Sequence, residues 1–331
     1  MDDPGARLQP RDPFARLSGD ERAMLRSAPL PERVEPMKAV LTEERFSDPA
    51  WVFERKLDGI RCIAIKGDRG THLLSRNDLS LNARFPEIAA ALDADPAEQL
   101  VLDGEVVAFS AGQTSFERLQ QRAERHVAVY LYAFDVLYLA GYDTTRLPLH
   151  ARRRLLRSAI DFHGPLRLIP SRKREGERLA KEACQRGWEG LIAKRADAPY
   201  THGRSRDWLK FKCTAEQELV VGGYTAPRGS RSELGALLLG HFEDGRLRYA
   251  GKVGTGFTAA TLADLAARLA PLRRDASPFA DIVREPHVTW VEPQLVAQVG
   301  FTEWTRDGRL RHPRYLGLRE DKAAEEVVRE Q

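Results

Sequence analysis

The run from Val127 to Leu139, VAVYLYAFDVLYL, limits what this chain can become more than any other stretch. It is apolar and aromatic throughout, so it reads as a long buried strand, with Phe134 and Asp135 set in its middle. Other segments of strand character surround it: WVFERKL, IRCIAIKG and THLLSR, then QLVLDGEVVAF after a helix, FPEIAAALDAD. Helices are expected at SFERLQQRAE, at LHARRRLLRSAI with an arginine-rich face, and at GERLAKEACQRG. The strands EGLIAKR and DWLKFKC follow. Strands and helices in this order describe an α+β domain that ends near Thr214.

The remainder changes character. ELVVGGYTA, ELGALLLGHFEDGRLRYAGKVG and HVTWVEPQLVAQVGFTEWTRDGRLRHPRY are short strands punctuated by Glu-Asp-Gly and Arg-Asp-Gly turns, with a helix from about Thr258 to Leu269. Five short strands with one inserted helix match the count of an OB-type barrel. A last charged helix is expected at EDKAAEEVVRE. Ahead of the α+β domain, residues 1–35 form an extension rich in proline and charge, with a short helix from Ser18 capped by a Ser18/Glu21 box. The expected organisation is therefore 1–35, 36–215 and 216–331.

Composition excludes more than it selects. Lys and Arg number 52 against 48 Asp and Glu, a net charge of +4, so any polyanion site must come from local placement of cations. Cys62, Cys184 and Cys213 lie far apart and lack metal-ligand spacing. The first residues, MDDPGARLQP, have no apolar core of a secretory signal, and no apolar run approaches the ~20 residues that span a bilayer. A soluble cytoplasmic protein is expected.

Chemistry gathers in the strands. Lys56, in VFERKLDGIRCIAIKGD, stands at the mouth of a hairpin. A lysine amine attacks only when deprotonated, so Lys56 as a nucleophile needs desolvation or nearby cations, and the apolar flanks of the hairpin are expected to supply the first. Asp58 would orient the ammonium or its surroundings, and Gly59 would let the backbone approach a ligand. Arg76 follows a strand, and Glu105 lies within an apolar strand, where an ionised carboxylate costs several kcal/mol unless it is met by a cation or by hydrogen bonds. WEGLIAKR carries Glu189, Lys194 and Arg195. HGRSRDWLKFKC carries Arg204, Arg206, Lys210 and Lys212, the two lysines alternating onto one strand face. Strand carboxylates with convergent cations suit a metal–polyphosphate complex.

The ordered set ERKLDGIR, SRND, LDGEVVAF, FDVL, EGLIAKR and WLKFK resembles motifs I, Ia, III, IIIa, IV and V of the covalent nucleotidyltransferases, and REDK resembles motif VI. The barrel segment is similar to the ligase module of bacterial end-joining DNA ligases, and the chain is expected to be a standalone ligase. The resemblance implies a nucleotidyltransferase (adenylation) domain of antiparallel sheets and flanking helices, followed by an OB-fold barrel. It implies ATP, with Mg²⁺ or Mn²⁺, as the nucleotide and metal. Lys56 would carry AMP, Glu54 and Phe134 would hold adenine, and Arg61 and Glu105 the ribose, with Glu105 also near the metal. Arg76 would meet phosphate or ribose, Glu189 the metal, and Lys210 and Lys212 the α-phosphate. Arg204 and Arg206 both fit the arginine before motif V. Arg319, Asp321 and Lys322 would reach the leaving pyrophosphate as the barrel closes.

The expected partner is nicked or broken duplex DNA, met mainly through its phosphates. Arg152, Arg153, Arg154 and Arg157 are the expected backbone-binding face. A Ku-type end-binding protein is the expected helper of a monomer in the bacterial cytosol, near the nucleoid. An RNA ligase or capping enzyme shares motif I and is the nearest alternative. A non-catalytic nucleic-acid-binding barrel would not need Lys56, Glu105, Glu189, Lys210 and Lys212 together.

Overall fold

The computed structural model describes residues 12–120, 122, 127–213, 215–227, 233–305 and 307–330; the expected absence of a secretory signal in the first residues falls outside them. The chain divides into two compact units, 1–211 and 212–331.

In the first unit, Val129–Leu139 is the central strand of its sheet. Its neighbour Leu100–Ser110 leads on through Ile60–Gly67 to Gly70–Ser75, and on the other side lie Tyr142–Asp143 and Arg26–Ser27. Leu166–Leu168 adds a parallel partner to the central strand. The second sheet runs Ser171–Lys173, Trp51–Lys56, Gly190–Arg195, Gly203–Lys212 and Met37–Leu41, the last pair also parallel. The sheets are thus mainly antiparallel, with two parallel pairings that strand periodicity could not specify.

Two cores explain the strand pattern. Ile60, Cys62, Leu100, Leu102, Leu131 and Val136 join helices Pro86–Asp93 and Leu149–Ala159 in one. Ile63, Ile65, Val101, Phe134 and Leu137 of the first sheet meet Met37 and Trp208 of the second in the other. Strands apolar on both faces follow from cover on both sides. The Ser18/Glu21 capping box is present on helix Gly19–Ala23, and Phe14 and Leu17 pack into the first core. Helix Phe116–Gln120 realises the start of SFERLQQRAE; the rest of that helix falls largely outside the described residues.

In the second unit, strand Ala215–Thr225 pairs with Leu237–Glu243 on one side, and on the other with Val296–Phe301 and Val288–Val291 in turn. Arg246–Val253 and Arg314–Leu318 extend the two flanks. Helix Ala259–Leu269 begins at Thr258, whose side chain accepts the Thr261 amide. Leu265 and Leu269 seat it on a core of Leu219, Leu237, Leu239, Val291 and Val299. This is the strand-and-helix arrangement of an OB-fold.

The expected terminal helix does not form. Only the single turn Ala324–Glu326 is helical, after which Val328 bridges to Phe242 and the Phe242 amide donates to the Val327 carbonyl at 2.7 Å. A short charged helix has little to offset its nucleation cost, and extended pairing with burial of Val327 wins.

Candidate active site

Lys56 is the last residue of its strand, and its cross-strand partner is Gly190. Glu189 therefore arrives at the start of the adjacent strand, and its carboxylate accepts a hydrogen bond from the Lys56 ammonium. Burial works against the charge on Lys56, but Glu189, Glu105 and Asp58 outweigh it and hold the amine above the ordinary lysine range. This corrects the expectation that the desolvating hairpin keeps the amine reactive: Glu189, Glu105 and Asp58 favour the ammonium.

Asp58 acts on that ammonium through its charge and also accepts the Phe116 amide at 3.1 Å, which caps helix Phe116–Gln120. Gly59 serves a different approach from the one expected. A Cβ there would lie 2.3 Å from the Val106 carbonyl oxygen, so glycine admits the neighbouring strand rather than a ligand.

Arg61 binds Asp103 with two hydrogen bonds, at 2.5 and 2.6 Å, and donates to the Met37 carbonyl. The Tyr200 hydroxyl donates to the same Asp103 at 2.6 Å. So held, the Arg61 guanidinium lies 4.7 Å from the Phe134 ring centre. Glu105 faces Arg61 across the strand pair, and Tyr132 lies on its other side. Phe134 is 7% exposed and meets Trp208 edge to face. The Lys194 ammonium lies 4.1 and 4.0 Å from those two ring centres and 2.8 Å from Glu54, which also pairs with Arg153. Burial pushes the Lys194 amine down, against the pull of Glu54 and Asp135.

One side of this arrangement suits a divalent ion. The second oxygen of Glu189 is buried and has no hydrogen-bond partner, directly beside Lys56, and Glu105 acts on the same ammonium. Among the described residues no cluster of three or more metal-ligating side chains occurs. Few carboxylates with an open oxygen fit a hard ion that completes its shell with water and phosphate.

The remaining expected residues disperse. Arg76 follows strand Gly70–Ser75, half-buried, with its Nε sealed and lacking a partner. Arg204 and Arg206 are exposed on strand Gly203–Lys212, and Lys210 shares one strand face with Trp208. In the second unit, Lys212 is tied to Glu330 at 2.6 Å and to the Glu216 carbonyl, Arg319 grips Asp321 with two hydrogen bonds, and Lys322 pairs with Glu218.

The expected DNA-binding face is overturned. Arg152 is fully buried and forks onto Asp135 at 2.7 and 2.9 Å, Arg153 is buried on Glu54, and Arg154 pairs with Glu21. Only Arg157 of the four is exposed. The helix turns Arg152 and Arg153 into the protein, where buried carboxylates need them.

A family model described as ATP dependent DNA ligase domain matches residues 30–212, and one described as ATP dependent DNA ligase C terminal region matches residues 230–322. The chain belongs to the ATP-dependent DNA ligases. It is 40% identical over 313 residues to the multifunctional non-homologous end joining protein LigD of Pseudomonas aeruginosa, covering 91% of this chain and 37% of that protein. Its identity to the multifunctional non-homologous end joining DNA repair protein LigD of Mycobacterium tuberculosis is 41% over 293 residues, covering 85% and 37%. The chain thus spans little more than a third of these curated relatives. A solved structure, mycobacterial DNA ligase D complexed with ATP and MES, superposes with a TM-score of 0.66 at 35% identity, covering 90% of this chain and 98% of that one. The family uses ATP and a divalent metal through a lysyl–AMP.

The sequence counted Lys194 only among the convergent cations and gave no role to Asp103, Tyr200 or Trp208; the ligase fold sets all four around Phe134 and Arg61. The signal was present for two of them. Lys194 in EGLIAKR and Asp103 in LVLDGEVV are charges inside apolar strands, the same pattern that singled out Glu105. No helix among the described residues is long and apolar enough to cross a membrane.

Proposed function

We propose that this chain seals a 5′-phosphate to a 3′-hydroxyl in duplex DNA with AMP carried on Lys56. The observation that carries the reading is Lys56 on Glu189, with one Glu189 oxygen buried and open, at an inter-sheet core that presents Phe134, Arg61 and Lys194.

In the first step the Lys56 ammonium gives one proton to Glu189 along their hydrogen bond, the freed amine nitrogen bonds to the α-phosphorus of ATP as the α–β bridging oxygen leaves with pyrophosphate, and a second proton is lost to solvent to leave the phosphoramidate N–H. A 5′-phosphate oxygen of DNA then displaces the amine, forming DNA–adenylate. Last, the 3′-hydroxyl oxygen attacks that phosphate, AMP leaves, and the strand is closed. Phe134 stacks on adenine, with Lys194 and Glu54 beside it. Arg61 and Glu105 hold the ribose, and Arg76 the ribose or a phosphate. Lys210 and Lys212 offset charge on the α-phosphate, with Arg204 or Arg206 nearby, which requires Lys212 to exchange Glu330 for phosphate. Arg319, Asp321 and Lys322 serve the pyrophosphate. Glu189 and Glu105 would hold Mg²⁺ or Mn²⁺, which would supply positive charge to offset the phosphates and favour the uncharged amine.

The end-joining and DNA-repair names of the relatives support a role in DNA end joining; a Ku-type partner and the bacterial cytosol complete the proposal. The test is α-labelled ATP or GTP with a divalent metal, then a chase with nicked DNA or nicked RNA. Label from ATP that is lost as nicked DNA is sealed, and is absent from Lys56→Ala, supports the reading. Label from GTP, release only to RNA, or no label overturns it.

A further inference from the structure

With two of the expected DNA-binding arginines buried and a third tied to Glu21, the first unit needs another place for the strand it joins. Its most buried guanidiniums are neutralised in place: Arg61 by Asp103, Arg152 by Asp135, Arg153 by Glu54. Arg55 is not. It is half-buried, its Nε is sealed from solvent with no hydrogen-bond partner, and no carboxylate among the described residues pairs with it. Its guanidinium lies over the Trp188 ring, 4.6 Å from the centre. A desolvated cation without a counter-charge costs free energy, and an anionic ligand would recover it.

The surroundings extend the pattern. Tyr132 lies within electrostatic reach of both Arg55 and Arg167. Arg167 in turn lies 4.9 Å from the Tyr130 ring centre and donates to the Gly164 and Leu166 carbonyls rather than to a carboxylate. All five side chains are half-buried, so each keeps an accessible part. They also border the candidate site along the chain: Arg55 precedes Lys56, Trp188 precedes Glu189, and Tyr132 is the cross-strand partner of Glu105.

We infer that Arg55 on Trp188, continued by Tyr132, Arg167 and Tyr130, docks the backbone of the DNA strand being joined beside Lys56. The inference rests on the ligase reading and deepens it by naming where that reading's substrate binds. Stacking fixes the plane of a guanidinium and leaves its edge to donate to a phosphodiester, while the rings offer faces to sugars or to a base at the broken end. None of these contacts reads base sequence, as joining any two ends requires.

The test separates binding from adenylation. Arg55→Ala, Arg55→Lys and Trp188→Ala are compared with the parent chain for affinity to a fluorescent nicked duplex without ATP, over a range of salt. Label uptake from α-labelled ATP is read in parallel. Arg55→Ala and Trp188→Ala are expected to weaken DNA binding about tenfold and to lower the salt slope of Arg55→Ala by about one, while label uptake stays within about twofold. Arg55→Lys, which keeps charge but loses the planar stack, should fall between. DNA affinity and salt slope equal to the parent in both alanine variants would overturn the docking strip. Absence of label on the parent chain would overturn the adenylation reading instead, and the affinity comparison would still decide the strip. Should Arg55→Ala not fold, Arg55→Gln and Trp188→Phe carry the same comparison.

Discussion

The Lys56 ammonium donates to one oxygen of Glu189, and the other oxygen of that carboxylate is buried without a donor. The pair exists because Lys56 ends one strand opposite Gly190, so Glu189 enters at the same level. The nucleophile is thus stored in its protonated form next to an open ligand atom.

Glu189→Gln is expected to bring the Lys56 pKa down toward its ordinary value, because the amide keeps the volume and removes the charge. Since folding raises the Lys56 pKa above its ordinary value of 10.5, the pair's contribution to stability is fully present below that value and is lost as pH rises through the folded one. NMR titration of the labelled lysine side chain, without metal or nucleotide, measures the shift. A Lys56 titration that does not move would assign the proton to other neighbours.

Arg152→Ala should destabilise the first unit by about 3–5 kcal/mol, because it strands the fully buried Asp135. Denaturant unfolding reads the loss. Replacing both with leucine should recover much of it, since no charge is then left unpaired. An Arg152→Ala chain as stable as the parent would contradict the buried-pair account.

Gly59→Ala should cost at least about 2 kcal/mol, as the new methyl meets the Val106 carbonyl and the Val107 side chain on a backbone that cannot recede. The midpoint of thermal unfolding is the readout. A shift no larger than that of a surface alanine substitution would show the two strands to be less closely set.

Asp321→Asn tests the second unit. Burial opposes the Asp321 charge, but Arg319, with its two hydrogen bonds, and Lys322 hold its carboxyl below its ordinary value of 3.8. The ionised pair therefore stabilises the fold above that pH and loses its effect as pH falls through the lower folded value. Asp321→Asn should cost about 3 kcal/mol at pH 7, and the difference from the parent should shrink toward pH 3. A difference independent of pH would point to packing rather than charge.

Much of the fold was legible because it is local. Strand periodicity, the Ser18/Glu21 box and the cap before helix Ala259–Leu269 depend on residues a few positions apart, and each element stands where its pattern puts it. The order of charged residues in apolar strands was legible too, since such charges must be met by partners wherever the strands go.

Partnership was decided elsewhere. Arg152 and Arg153 look alike in LHARRRLLRS, yet one meets Asp135 from 17 positions away and the other Glu54 from 99. No pattern within the helix distinguishes a solvated arginine face from one that neutralises buried carboxylates. The closing segment EDKAAEEVVRE has helical composition, but the edge at Phe242 draws it into an extended course. The protonation of Lys56 is of the same kind: its own hairpin supplies desolvation, and Glu189 and Glu105, which do most to outweigh it, arrive on other strands. Periodicity carries local structure in the chain, whereas the energy of a buried charge depends on what the folded sheets place within a few ångströms of it.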